Sequence, residues 1–388
     1  MSPSLSSNDF AGIRIGELIA ARITALDSEL QRTVWLLNER IAEPLRTRVL
    51  ARLSRVLGEA RQDLNRLAKD LPNLKADESA RRYRAIREQC DRLFRECLAV
   101  IEGSLYREAG ADGGLCRIAD SLIDDLSRRS DEPWGRFTIL GEGEYFGEMA
   151  EIIRLRFPEN SIWSLPLAAH EFGHFFARSA EVKRNDGSDL DSLRTRLMLA
   201  KKHSDYAWRR VHEHFADLFA TYAIGPAFAC VSILLRFDPE SAWQAFAEHP
   251  PDADRAEMIL MGLRKKQEYR WIADFLEATW RDALAQCGQK TVHEQTDLPA
   301  FKALWDELDF VFSHPLEGIA YDGWLRAVPL QAELSDLNQS RIVPPAGSNI
   351  ADVLNAAWSG RLKLHPGATA TIDLLGQRAF VLCDRLAA

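Results

Sequence analysis

A chain of 388 residues is long enough for two or three domains and buries a core without covalent staples. Its 46% apolar and 27% charged residues exclude a disordered chain or a disulfide scaffold. Forty-nine Lys and Arg against 57 Asp and Glu leave a net charge of −8, which argues against nucleic acid as the main partner, because duplex binding needs a surplus of cations.

The first residues, MSPSLSSNDF, lack a basic segment followed by an apolar one, so nothing predicts export and a cytoplasmic, reducing location is expected. Cys90, Cys97, Cys116, Cys230, Cys287 and Cys383 contain no C-x-x-C pair and read as reduced core thiols. From Ile13 to about Leu105 apolar residues recur at threes and fours: Ile15, Leu18, Ile19, Ile23, Leu26, Leu30, then Val49, Leu53, Val56, Leu57, Leu64, Leu67, then Ile86, Cys90, Phe94, Cys97. Breaks near Ala42-Glu43-Pro44 and Leu71-Pro72-Asn73 divide this into three helices of roughly 25 to 30 residues, a hairpin or three-helix bundle. Residues 1–110 carry 19 Lys and Arg against 16 Asp and Glu, opposite in sign to the remainder. That composition reads either as a face for an acidic, regulatory partner or as a solvated face laced with i,i+4 pairs.

Gly110-Ala-Asp-Gly-Gly114 reads as a linker, and Arg136 to Gly141 and Ile152 to Phe157 read as short strands. Helical periodicity resumes and dominates to about Phe312. Within it, Leu218 to Leu235 holds eighteen uncharged residues, at the lower limit of a membrane span. Gly225-Pro226 breaks the run, so a buried helix and no membrane span is expected. Val343-Pro-Pro-Ala-Gly-Ser348 is a second linker, followed by a helix from Ile350 to Leu362 and a strand at Ala379 to Cys383. The predicted organisation is mainly α with a small β component (α+β): a helical bundle over 1–109, a second domain over 115–342, and a C-terminal extension packed on it over 343–388.

The chemistry centres on His170-Glu171-Phe172-Gly173-His174, an H-E-x-x-H. Helical residues four apart stand on one face, so His170 and His174 can both reach one metal with Glu171 beside it, a geometry that suits zinc. Some forty residues on, Val211-His-Glu-His-Phe-Ala-Asp217 places Glu213 and Asp217 four apart. A carboxylate completes a His2Glu zinc site that keeps one position for water, and an aspartate one turn on can accept from a ligand imidazole. Successive helical residues point about 100° apart, so among His212, Glu213 and His214 only Glu213 shares a face with Asp217. His214 falls with Leu218 and Thr221, and His212 with Phe215 and Phe219, as core positions.

HEFGH followed by E-x-x-A-D-x-F-A resembles the gluzincin metallopeptidases over about residues 163–256: the soluble phage-repressor-cleaving type (ImmA/IrrE) and the Ste-type and Htp-type membrane proteases. The resemblance implies a zincin-like catalytic domain, with His170, His174 and Glu213 as Zn2+ ligands, Glu171 as general base and Asp217 behind a ligand. The same proteases open a later helix with His-Pro and an Arg a turn on, here His249-Pro250 and Arg255. These imply an oxyanion donor or a brace for Glu213, with Tyr206 and Tyr222 as weaker candidates for the donor. His203, His293, His314 and His365 have no partner spacing and are expected at the surface or at helix caps.

The expected activity is zinc-dependent hydrolysis of a peptide bond in a specific intracellular protein, in which Glu171 takes a proton from the attacking water and returns it to the leaving nitrogen. The substrate peptide would add to an edge strand, either Arg136 to Gly141 or Ile152 to Phe157. A zinc-containing sensor or binding module, and a hydrolase of a non-peptide amide, are the alternatives. Retention of Glu171 beside the metal argues against the first of these.

Overall fold

The computed structural model describes residues 15–43, 45–135, 137–143, 145–147, 152–157, 161–179, 181–182, 191–192, 208–245, 249–290, 298–314, 316–336 and 342–388. The chain falls into two compact units: Met1–Ala109 with Gly147–Ile152, and Gly110–Phe146 with Ile153–Ala388.

In the first unit α1 (Ile15–Arg40), α2 (Leu45–Asp70) and α3 (Ala76–Glu108) pack pairwise as a three-helix bundle. The apolar stripes face inward: Ile19, Ile23, Leu26, Leu30 and Leu37 on α1, and Cys90, Leu93, Cys97 and Val100 on α3 are buried. Much of the arginine content is spent within the bundle. Arg55–Glu59, Arg82–Glu78 and Arg87–Asp91 pair one turn apart on single helices, while Arg61–Asp27 (2.7 Å) and Arg87–Glu29 (2.8 Å) tie α2 and α3 to α1. The one-turn pairs are worth a few tenths of a kcal/mol each, roughly, and lace the solvated face.

Gly110 to Gly114 is a tight turn with positive φ at Gly110, Gly113 and Gly114, and it leads straight into a helix, α4 (Leu115–Ser130), where only linker and strand were expected. Leu115, Ile118, Ala119, Leu122, Ile123 and Leu126 supply a buried stripe at helical spacing. β1 (Thr138–Gly141) follows, its Thr138 backbone N–H donating to Asp120 of α4. β1 pairs in parallel with β3 (Ile152–Arg156), and β2 (Tyr145–Gly147) lies on the other side of β3. β3 is therefore the central strand and offers no open edge, contrary to the expectation for 152–157.

α5 (Leu167–Ser179) and α6 (Trp208–Ile224) form the centre of the unit. Phe172 meets Phe219 and Phe176 meets Phe215, so contacts advance along one helix as they retreat along the other, and the two run antiparallel. Gly173 sits at their closest approach: a Cβ there would lie 3.0 Å from the Cα of Ala216. α6 ends at Gly225 (φ +77), and α7 (Pro226–Val231) begins at the proline, as the break in the apolar run requires. Among the described residues no helix is long and apolar enough to cross a membrane.

α8 (Asp252–Arg264), α9 (Arg270–Gln286), α10 (Leu298–Ser313) and α11 (Trp324–Ser335) follow. The C-terminal residues belong to the second unit's core. α12 (Ile350–Arg361) is buried along nearly its whole length, and its Asn355 mends the α6–α7 break by accepting from the Ala227 N–H (2.8 Å) and donating to the Ile224 carbonyl (2.7 Å). The predicted strand at 379–383 is instead part of α13 (Thr369–Leu386), whose buried Leu375, Ala379, Leu382 and Cys383 fall at helical spacing. A five-residue apolar run does not distinguish strand from helix, and here the flanking residues extend the helical stripe. All six cysteines are free thiols, five of them buried.

Candidate metal centre

α5 carries His170 and His174 on one face, and the antiparallel α6 brings Glu213 opposite both. His170 Nε2 lies 3.1 Å from His174 Nε2 and 3.5 Å from Glu213 Oε2, and His174 Nε2 lies 3.4 Å from Glu213 Oε1. The three donor atoms lie within 4.8 Å of one another, and together they could hold a metal ion. Zinc bonds of about 2.0–2.1 Å set tetrahedrally span about 3.3 Å between ligand atoms, so these separations and this donor set fit that ion. Phe228 of α7 stacks on the His170 ring, centroids 5.9 Å apart, and closes the centre's apolar side.

Behind each imidazole stands a second group. His170 Nδ1 is 3.0 Å from Asp217 Oδ1, and Asp217 is fully buried. His174 Nδ1 is 2.9 Å from Nδ1 of His212, and the two rings meet edge to edge, nearly coplanar, with centroids 5.0 Å apart. His212 was assigned to the core among Phe215 and Phe219. It is buried, and its ring reaches from α6 across to the second ligand on α5, a contact set by the antiparallel crossing. His214 does lie in the core, with its ring edge-on to Phe301 of α10.

α8 supplies the third layer. Arg255 Nε and Nη2 donate to Asp217 Oδ2 and Oδ1, each at 2.8 Å, and Nη2 lies 3.7 Å from Glu213 Oε2. His249, just before α8, places Nδ1 3.2 Å from Glu213 Oε2 while its side chain stays half exposed. In these contacts His249 braces Glu213 and Arg255 braces chiefly Asp217. Tyr222 is directed elsewhere: its hydroxyl donates to Asp309 of α10. Tyr206, His203 and His293 lie outside the described residues, and His314 and His365 are exposed.

Burial and charge oppose each other here. Burial disfavours protonation of His170, but the carboxylates of Asp217 and Glu213 outweigh it and raise its pKa from 6.5 to about 10. Burial also dominates at His174, which is driven well below its ordinary value, and at His212, lowered to about 4. For Asp217 burial would raise the carboxyl, yet the charge and hydrogen bonds of Arg255, with His170, hold it at about 2. Burial would likewise raise Glu213, but the surrounding imidazoles and Arg255 keep it well below the usual carboxylate range. The hydrogen bond to Glu213 raises His249.

His170, Glu171, Glu213, His249 and Arg255 line one cavity of about 380 Å3, within the range of small-ligand sites. Arg156 of β3, Glu142 and Gly143 after β1, and Arg236 and Phe237 after α7 complete its wall. These wall residues come from three separate segments, of which only the strand holding Arg156 was expected beside the metal helix. The chain matches no protein-family model, no curated protein and no solved structure.

Proposed function

We propose that this protein is a zinc-dependent metallopeptidase of the gluzincin type, acting on a specific protein substrate. The observation that carries the reading is the convergence of His170, His174 and Glu213 at tetrahedral spacing, with Glu171 in the same cavity wall. His170, His174 and Glu213 would hold the cation, which when bound supplies an acidified water and polarisation of a substrate carbonyl.

The protein's own groups do the rest. Glu171 takes the proton of the attacking water and hands it to the leaving nitrogen, so a single carboxylate serves as base and then as acid. His249, half exposed at the cavity and tied to Glu213, would donate to the negative charge that develops on the carbonyl oxygen. Asp217, held by Arg255, orients the His170 ring. Glu142 and Gly143 carry the chain from β1 into the cavity wall, which supports an extended substrate aligned with the edge of that sheet.

The test is a comparison of newly formed protein N-termini in cells expressing the wild type or Glu171→Gln. Cleavages present only with the wild type, while both proteins hold about one zinc, are the expected result. Equal zinc with identical N-termini in both would reduce the protein to a metal-binding module. Neither protein holding metal would end the reading altogether.

A further inference from the structure

His174 presents its two ring nitrogens to different neighbours. Nε2 faces His170 Nε2 at 3.1 Å and Glu213 Oε1 at 3.4 Å, whereas Nδ1 lies 2.9 Å from His212 Nδ1. A neutral imidazole has one N–H and one lone pair, and the nitrogen that ligates a cation must be the one with the lone pair. Ligation through Nε2 therefore puts the His174 proton on Nδ1. That proton points at His212 Nδ1, which can accept it when His212 carries its own proton on Nε2. The opposite arrangement, His212 donating, would leave the His174 proton on Nε2 and block that nitrogen. On the other ligand the corresponding acceptor is Asp217, 3.0 Å from His170 Nδ1.

We propose that His212 is a positioning residue for the metal centre: it accepts the Nδ1–H of His174 and so fixes that ligand in the tautomer and orientation that present Nε2 to a divalent cation. This role rests on the metal reading above. The two ligands are thus backed by unlike groups, a carboxylate behind His170 and a neutral imidazole behind His174. Glu213 and Asp217 already bring two negative charges to the donors, and a neutral acceptor adds none. The two rings are nearly parallel, 17° between planes, and with centroids 5.0 Å and nitrogens 2.9 Å apart they meet edge to edge, the in-plane approach that an N–H···N bond requires, so the bulk of the His212 ring and its acceptor can be separated by substitution.

The experiment uses the full chain and zinc alone, with affinity read by competition against a chromophoric chelator. His212→Phe keeps an aromatic ring and removes the acceptor, while His212→Asn keeps a polar oxygen near the position of Nδ1 and removes most of the ring. If the hydrogen bond positions His174, His212→Phe weakens zinc binding about 10 to 100-fold and His212→Asn stays within roughly threefold of the wild type. The reverse order would assign His212 to packing and overturn the proposal, as would equal losses in both. Should either variant fail to fold by circular dichroism, the nitrogen chemical shifts of the zinc-loaded wild type decide. A proton on Nδ1 of His174 and on Nε2 of His212 is expected, and any other pair of tautomers overturns the role. A wild type that binds no zinc overturns the metal reading itself, whereas tight binding by both wild type and His212→Phe overturns only the part played by His212.

Discussion

Arg255 grips both oxygens of Asp217, which in turn lies 3.0 Å from the Nδ1 of His170. The guanidinium fork matches a carboxylate edge-on, and Asp217 is fully buried, so its charge cannot turn to water for compensation. Removing one partner strands the other. Arg255→Met should destabilise the metal-free protein by about 3–5 kcal/mol in urea unfolding, because the buried carboxylates of Asp217 and Glu213 are then left to share the single positive charge of His170. Asp217→Asn should cost roughly 10 to 100-fold in zinc affinity through the loosened His170. An Arg255→Met protein as stable as the wild type would show that Asp217 is satisfied by other groups.

The third ligand is separable from its neighbours. Glu213→Ala should abolish zinc content measured by elemental analysis. His214→Ala should leave it intact, because His214 packs against Phe301 in the core and not toward the ligand nitrogens. His214→Ala will instead lower stability, by about 1–3 kcal/mol for a truncated buried side chain. Zinc lost with His214→Ala but kept with Glu213→Ala would replace the carboxylate ligand with a third histidine.

Metal uptake should release protons. With its pKa raised from 6.5 to about 10, His170 is protonated at pH 7 in the metal-free centre, and ligation requires the neutral ring. Zinc binding at pH 7 should therefore release close to one proton, measured by calorimetry in buffers of different ionisation enthalpy. Affinity should rise with pH and flatten above about 10. The same shift stabilises the metal-free fold below pH 6.5, and that contribution fades as pH rises through about 10. Buffer-independent heats of binding would show that His170 is already neutral.

The approach of α5 to α6 is a further point of control. At Gly173 an added Cβ would meet backbone, the Ala216 Cα at 3.0 Å, as well as the Phe219 Cβ at 3.2 Å, and helix backbone cannot swing aside as a side-chain tip can. Gly173→Ala should force the helices apart, costing about 1–3 kcal/mol of stability. Zinc affinity should fall with it, because His174 and Glu213 sit on opposite sides of that contact. Unchanged zinc affinity in a folded Gly173→Ala protein would mean that the spacing of the ligands does not depend on this contact.

How far each feature could be read from the chain depends on the range of the interaction behind it. The bundle helices, the Gly225-Pro226 break and the facing of His170 with His174 follow from spacings of three and four residues, which the helix translates directly into a face. Local rules failed where neighbours along the chain gave two answers. The Gly-rich stretch at 110–114 read as a linker and does mark the boundary of the two units, but the helix α4 directly after it was missed, and the run at 379–383 is too short to separate strand from helix. β3 could not be recognised as the central strand, since strand order is set by pairing across the sheet.

By itself the sequence determined the candidate donors, because His170, His174, Glu213 and Asp217 are related within single helices by one-turn steps. Only the tertiary structure decided which groups stand behind them. Nothing in a one-turn spacing tells that α5 and α6 cross antiparallel at Gly173, so that His212 meets His174 while Asp217 meets His170. Nor does it tell that α8 delivers Arg255 to Asp217 rather than directly to Glu213. These contacts join residues 38 to 47 positions apart, and the packing of α5, α6 and α8 around a shared buried charge, not any periodicity in the chain, selects them.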